Sequence, residues 1–538
     1  MFSFDLKTKL NILGSKISAI VERTYVTYLI LFLFILFFSL RMSPLFNPLP
    51  NRDSGVFIYV AQGILNGKVP YLDIWDHKPP LIFFLDAIAL MFNNSLWGVW
   101  FIELLSVVVS SFFCYVILKK YFGSLSGLFS TIIFIISFFN LGPGNYTEEY
   151  SLPLIFFAIY LFTSEYDPLL KFSSLGLISG LLFTLKPNLI GISIAIVGLT
   201  ILCGFLYGKS IKKEMIVFPL FFCVPLAVFG FYFYECHALG PCIDAVLFYN
   251  LYYSSTPLLT KLFYSIAIFR SLGHLWLFAV AVWILLISYA LYHRDFWHNA
   301  LLSVAIFSFP IECVLVAISG RPFAHYGFAL LAPCIILFGY MIYNFVETQK
   351  PKLWSVKYST KSLIIVLLVL VLLYSPLISL YSVMTENSRD DSRINVIKYV
   401  TSNSNNSDYV LIWGAETEIN VLSNRQSPSK YVYQWPLYTK GYSSGDRTQE
   451  FLQDLIKNRP KLIIDMHSCD AIVPPVNESE RMKWQRGVKQ DLKSKYGVSG
   501  RYQLPDSFTM VFQYISDNYQ YIGTIEGTDY SVYLVCDK

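Results

Sequence analysis

From residue 25 to residue 381 the chain alternates long apolar runs with short polar breaks, and beyond that point the pattern changes. The runs fall at about 25–42, 96–118, 124–140, 150–164, 172–186, 188–207, 216–234, 274–292, 299–318, 326–345 and 362–381. Each approaches the roughly 20 residues that a helix needs to cross a hydrocarbon core. The pattern therefore predicts about 11 transmembrane helices. Its weakest boundary is Lys186-Pro187, where a proline behind a lysine can break a helix at membrane depth. The run 81–92 is a rival span, and if it crossed, every later loop would change side. Past residue 382, "YVLIWG" and "KLIIDM" read as short buried strands, while "RTQEFLQDLIKN" has helical apolar spacing that stops before Pro460. This tail, 382–538, is expected to be a small α/β domain, separate from a membrane domain at 1–381.

Composition supports the membrane assignment. Hydrophobic residues make up 55% of the chain and charged residues 14%, against about 25% charged in soluble domains. No small-residue cleavage site follows the first run, which is therefore read as a retained span. The net charge of +5 is spread along the chain without a basic patch, which argues against nucleic acid as a partner. The basic residues serve better as topology signals. With eleven crossings and a cytoplasmic N-terminus, inside segments hold fifteen Lys and Arg and short outside segments eight. On that count 44–95 is the first outside loop, 81–92 lies along or dips into the membrane face, and the tail is extracytoplasmic. Nine cysteines form no C-x-x-C pair. Cys469 and Cys536 fall where a disulfide is allowed.

One polar break is unlike the others. Residues 51–80, "NRDSGVFIYVAQGILNGKVPYLDIWDHKPP", carry Arg52, Asp53, Lys68, Asp73, Asp76, His77 and Lys78, interleaved with Tyr59, Tyr71 and Trp75. A solvated loop is the plain explanation. Against it stand interfacial aromatics and Pro79-Pro80, which hold His77-Lys78 out of helical geometry. A carboxylate and a cation fixed at headgroup level suit sugar transfer from a lipid phosphate. Asp53 would take the proton of an acceptor hydroxyl as its oxygen attacks the anomeric carbon, and Lys78 would stabilise the departing phosphate. Arg321, Lys186 or Arg270 would help.

The same stretch resembles the first outside loop of the GT-C membrane glycosyltransferases, in the branch of protein O-mannosyltransferases and lipid A aminoarabinose transferases. The resemblance implies that the acid after the first span, Asp53, is the catalytic base, and that the lysine of the H-K-P segment, Lys78, lies by the donor phosphate. The family's usual Asp-Glu pair stands here as Asp53-Ser54. More diffusely, "GPGNYTEEY" (142–150) is similar to the acidic second outside loop, and "SGRPFAHYG" (319–327) with "WGAETEINVLSNR" (413–425) to bacterial members. "WGAETE" itself lacks the glycine spacing of a phosphate loop.

The expected activity is inverting transfer of a sugar from a polyprenyl-phosphate donor to a lipid or glycan acceptor, at the extracytoplasmic face of a bacterial plasma membrane. The 235–273 loop has no room for the long sugar-binding insertion of eukaryotic protein mannosyltransferases, which disfavours a protein acceptor. Donor-phosphate binding is assigned to Lys78, Arg321, Lys186 and His77, and substrate binding to Glu148, Glu149, Tyr59 and Arg270. Four of these have an ordinary alternative: snorkelling for Lys186, acids favoured by a helix dipole for Glu148 and Glu149, and an interfacial histidine for His77, as for His325. No metal site and no cofactor are assigned, membrane lipids are the surroundings, and a divalent-metal requirement stays open. "DMHSCD" (465–470) reads as a strand end. The rivals are a flippase or transporter of lipid-linked sugars, which would place charges at the midplane in two related halves, and a surface-polysaccharide polymerase or ligase centred on the 235–273 loop.

Overall fold

The computed structural model describes residues 24–93, 95–346, 392–466, 473–490 and 504–536. They fall into two compact units, and neither is continuous in sequence. The first takes the described residues up to Pro48, Val99–Ala227 and those from Lys261 to Val346. The second takes Leu49–Gly98, Val228–Thr260 and those from Ser392 onward.

The first unit is helical. Its helices begin where the sequence supplies caps: the Asp167 carboxylate accepts from the N–H groups of Leu169 and Leu170 ahead of Pro168–Leu185, and Asn299 accepts from Leu302 N–H ahead of Ala300–Ile318. These side chains satisfy donors that the first turn leaves open. Helix Pro168–Leu185 stops at Lys186, which is extended (φ −167°, ψ 124°). A 3-10 turn, Pro187–Leu189, follows before helix Gly191–Tyr207. Two close approaches depend on glycine. A Cβ on Gly176 would lie 2.3 Å from the Phe218 carbonyl oxygen, and one on Gly191 would lie 2.3 Å from the Glu312 carboxylate. Any larger residue would push these neighbours apart.

The expectation of about 11 transmembrane helices is corrected here. Among the described residues six helices are long and apolar enough to cross a membrane: Leu96–Asn140, Pro168–Leu185, Lys212–Glu235, Leu275–Tyr292, Ala300–Ile318 and Ala324–Asn344. Two expected spans, 96–118 and 124–140, share the single stretch Leu96–Asn140, which is broken at Gly123 (φ 81°, ψ 168°) and folds back there, so that Thr131 Oγ1 donates to Cys114 Sγ at 3.7 Å. Three more are short: Thr24–Leu40 and Gly191–Tyr207 have 17 residues each and Thr147–Phe162 has 16. At 1.5 Å per residue these reach about 25 Å, less than the roughly 30 Å of hydrocarbon. The run 362–381 lies outside the described residues. An apolar run can end in a helix too short to span, because length is set by caps and breaks that hydropathy does not register. The charge-bias count rested on eleven crossings and loses its premise. The chain remains an integral membrane protein with several long apolar helices.

The second unit holds a four-stranded sheet in the order β1-β2-β4-β3, with β1 Val410–Trp413, β2 Leu462–Asp465, β3 Tyr519–Thr524 and β4 Ser531–Val535. β1 and β2 are parallel, with Val410 opposite Leu462, and the β4 pairings are antiparallel. Every residue of β1 and β2 is buried, as expected of strands covered on both faces. Helix Ser392–Asn403 adds Val396 and Val400 to the core around Ile412 and Ile464. Each such side chain contributes about 1.5–3 kcal/mol on burial. Helix Gly445–Asn458, capped by Ser444, buries Phe451 and Leu455 and ends at Arg459, before Pro460. The segment 49–98 belongs to this same unit and supplies helices Arg52–Leu65 and Leu81–Asn93.

Candidate functional site

In the second unit, Asn51 starts helix Arg52–Leu65 by accepting from Ser54 N–H at 2.9 Å, and so sets Asp53 in the first turn. An acid there sits in the favourable field of the helix N-terminus. After the helix, residues 66–80 are held by their own polar groups. Tyr71, at φ 69°, donates its hydroxyl to the Lys78 carbonyl at 2.8 Å, and Lys78 N–H donates to Asp76 Oδ1 at 2.6 Å. The lysine backbone is thereby fixed from both sides. Its Nζ stands 4.0 Å from Asp53 Oδ2, with the Asp53 side chain 40% exposed and that of Lys78 13%. The two residues singled out as base and phosphate anchor thus come together, and the carboxylate stays open to solvent.

Behind Lys78, Tyr433 donates to Asp76 Oδ2 at 3.1 Å and lies 3.2 Å from His77 Nδ1. Burial pushes the Asp76 carboxyl up to about 6, against the opposing pull of Lys78. Asn250 donates to the His77 carbonyl at 2.8 Å, so both His77 and Lys78 are anchored through the main chain. Tyr59 is buried, with its hydroxyl accepting from Ser427 N–H at 2.9 Å. It acts there as a brace of the helix.

The acids of "WGAETE" are the residues sequence reasoning missed. Glu416 pairs with Arg52 at 2.6 Å, next to Asp53, and buried Glu418 pairs with Arg393 at 2.5 Å. Burial pushes Glu418 up to about 7 while Arg393 pulls it down. Gly55, one turn into the helix, is where Glu418 packs: a Cβ there would lie 2.7 Å from Glu418 N. The missed signal was two acids one residue apart directly after a buried strand, where charges are rare unless paired.

The first unit gathers a different set. Lys186 Nζ meets Glu148 Oε1 at 2.5 Å and lies 3.8 Å from the centroid of the Tyr326 ring, while Thr147 donates to Glu148 Oε2 at 2.9 Å. His325 stacks on Tyr146, with ring centroids 4.0 Å apart and planes 9° apart. Arg321 is buried nearby in sequence, four residues before His325. Glu149 caps its own helix, its Oε1 accepting from Gly144 N–H at 2.7 Å and Tyr146 N–H at 3.0 Å. Arg270 is not part of this set and is exposed in the last turn of helix Leu258–Ser271. Among the described residues no group of three His, Cys, Asp or Glu could hold a metal. His467, Cys469 and Asp470 lie outside the described residues, and Cys536 has a free thiol.

Comparison with known proteins bears on the fold. Residues 76–231, under a third of the chain, match the family model for dolichyl-phosphate-mannose-protein mannosyltransferase, a range that takes in His77 and Lys78 but not Asp53. No curated protein matches in sequence. The chain is similar in structure to ArnT from Cupriavidus metallidurans, solved bound to undecaprenyl phosphate, with TM-score 0.52 and 11% identity over 75% of this chain and 85% of that one. It is also similar to the oligosaccharyltransferase AglB from Archaeoglobus fulgidus, solved with an inhibitory peptide and a dolichol-phosphate, with TM-score 0.49 and 12% identity over 95% of this chain and 74% of that one. The fold is the GT-C fold of membrane glycosyltransferases.

Proposed function

We propose that this protein transfers a sugar from a polyprenyl-phosphate-linked donor to a lipid or glycan acceptor at the extracytoplasmic membrane face, with inversion at the anomeric carbon. The observation that carries the reading is the approach of Lys78 to Asp53 at 4.0 Å, with the carboxylate exposed and the lysine held by its backbone. The acceptor oxygen forms the new bond to the anomeric carbon as the bond from that carbon to the phosphate oxygen breaks. Asp53 receives the hydroxyl proton. The lipid phosphate leaves with the bonding pair and needs no proton, because Lys78 stabilises its growing charge. One essential carboxylate then suffices, unlike glycoside hydrolysis, where an acid must protonate the leaving oxygen. His77 sits beside the phosphate anchor, as a neighbour of Lys78. Support for the donor class comes from the undecaprenyl phosphate bound to the ArnT structure and from the dolichyl-phosphate-mannose family model that residues 76–231 match.

The test is label transfer in membranes holding wild type, Asp53→Asn or Lys78→Met, supplied with radiolabelled polyprenyl-phosphate sugars. The Asn variant is expected to lose about 10²–10⁴-fold in transfer with its thermal stability kept. Full transfer by that variant removes Asp53 as the base. A C-terminal tag reachable only from the cytoplasm would overturn the assigned face.

A further inference from the structure

A cavity of about 450 Å³ opens in the second unit, lined by none of the residues assigned above to donor or proton. Its size lies within the roughly 300–1,000 Å³ of small-molecule sites. Trp75, Tyr71 and Tyr431, each almost fully buried, line it together with Asp244 and Arg447. The polar side is pre-organised. Arg447 Nη2 donates to both Asp244 oxygens at 3.0 Å, and its guanidinium carbon lies 3.9 Å from the centroid of the Tyr442 ring. The Tyr442 hydroxyl donates to Asp244 Oδ2 at 2.5 Å and accepts from Trp75 Nε1 at 3.3 Å. The aromatic and charged walls are thus one hydrogen-bonded frame, and Trp75 is only three residues from Lys78.

Each cation of the wall is already paired with a carboxylate. Arg447 faces Asp244, and Lys430, the other cation, meets Glu450 at 2.7 Å, with Tyr431 also donating to Glu450 at 3.1 Å. Asp446 adds a further acid at the rim. A phosphate would have to pull a cation from its carboxylate and then face Asp446. Hydroxyl groups instead can donate to the carboxylates and accept from the guanidinium while the pairs stay made. The buried rings close the cavity behind a ligand whose hydroxyl groups meet these planar pairs. A second cavity of about 220 Å³ shares Lys430 and Glu450 and is walled by Ser427, Asp454 and Asn458.

We propose that these adjoining cavities bind two neighbouring uncharged sugar rings of the acceptor, the larger holding the first ring. The word acceptor rests on the glycosyl-transfer reading above, whereas sugar binding does not. The acceptor is accordingly a glycan and not a bare lipid.

The experiment is saturation-transfer NMR on the full-length protein in nanodiscs, with methyl glucoside, N-acetylglucosamine, cellobiose and glucose 1-phosphate as probes. Wild type is expected to bind a neutral sugar saturably, cellobiose more tightly than a monosaccharide, and both above glucose 1-phosphate. Arg447→Ala is expected to weaken the neutral sugar about tenfold, the loss of one charge-assisted hydrogen bond. Because that variant can unfold locally, Glu450→Gln and Asp446→Ala, both at the rim, give the same reading with melting checked against wild type. Binding that none of the three variants changes overturns the proposal, as does preference for glucose 1-phosphate or failure of every neutral probe. Asp53→Asn separates the two readings: it keeps sugar binding while losing transfer if both hold. Sugar binding in a protein that transfers nothing would overturn the glycosyl-transfer reading and leave the cavity assignment standing.

Discussion

Two lysine–carboxylate pairs, one in each unit, differ in how much of their chemistry is already used. Lys78 stands 4.0 Å from a 40% exposed Asp53. Lys186 meets Glu148 at 2.5 Å with side chains 13% and 3% exposed, and the Tyr326 ring covers its ammonium group. A buried pair at contact distance has already exchanged hydration for mutual attraction, and removing either partner leaves an uncompensated charge. In the looser pair the lysine is equally buried, and it is the exposed Asp53 carboxylate that can meet a substrate atom. Proximity of opposite charges is therefore a poor mark of a site. What distinguishes one is fixed geometry combined with an open valence toward solvent.

The largest effect expected to test this contrast is the loss of about 10²–10⁴-fold in transfer for Asp53→Asn with an unchanged melting temperature. Lys186→Met should do the reverse in kind: about 3–5 kcal/mol of stability lost through stranding Glu148, largely restored in Lys186→Met/Glu148→Gln. If the double variant regains stability but not transfer, Lys186 also binds substrate, and the contrast fails.

A smaller effect concerns Asp76. Its carboxyl is raised to about 6 by burial, above its unfolded value, so the folded state holds the proton more tightly. The advantage is fully present below the unfolded value near 4 and is lost as pH rises through about 6. Relative to Asp76→Asn, wild type should therefore gain up to about 3 kcal/mol on acidification from pH 7.5 to 4, read as the difference of their melting temperatures. A flat difference would mean that Asp76 titrates as an ordinary carboxylate. The smallest effect is Gly55→Ala, whose Cβ would overlap Glu418 and cost about 1–3 kcal/mol. Transfer should fall with it if the packing of Glu418 and the Arg52–Glu416 pair aim Asp53. Stability loss without any change in transfer at low temperature would confine those acids to folding.

Much of the second unit was legible along the chain. The strands over "YVLIWG" and "KLIIDM" form where β-branched and aromatic residues cluster, and helix Gly445–Asn458 ends ahead of Pro460 as its spacing required. The approach of Lys78 to Asp53 was suggested by their place in one charged stretch, 51–80, whereas the helix that starts at Arg52 and carries Asp53 in its first turn was not. The roles of Glu416, Glu418 and Arg447 were not, since their partners Arg52, Arg393 and Asp244 are brought together by folding and by no fixed spacing. Span number was misjudged for a related reason: hydropathy records how apolar a run is, while Gly123 and Pro187 decide where its helices bend and stop.

By itself the sequence determined that this is a membrane protein, that charges concentrate at 51–80, and that short strands and an amphipathic helix replace the long apolar runs in the C-terminal part. These follow from composition and from interactions within a few residues. Only the tertiary structure decided that Leu49–Gly98 and Val228–Thr260 belong with the C-terminal residues in one unit. Such long-range closure depends on which surfaces bury each other, a property of three-dimensional packing that leaves no periodic trace along the chain.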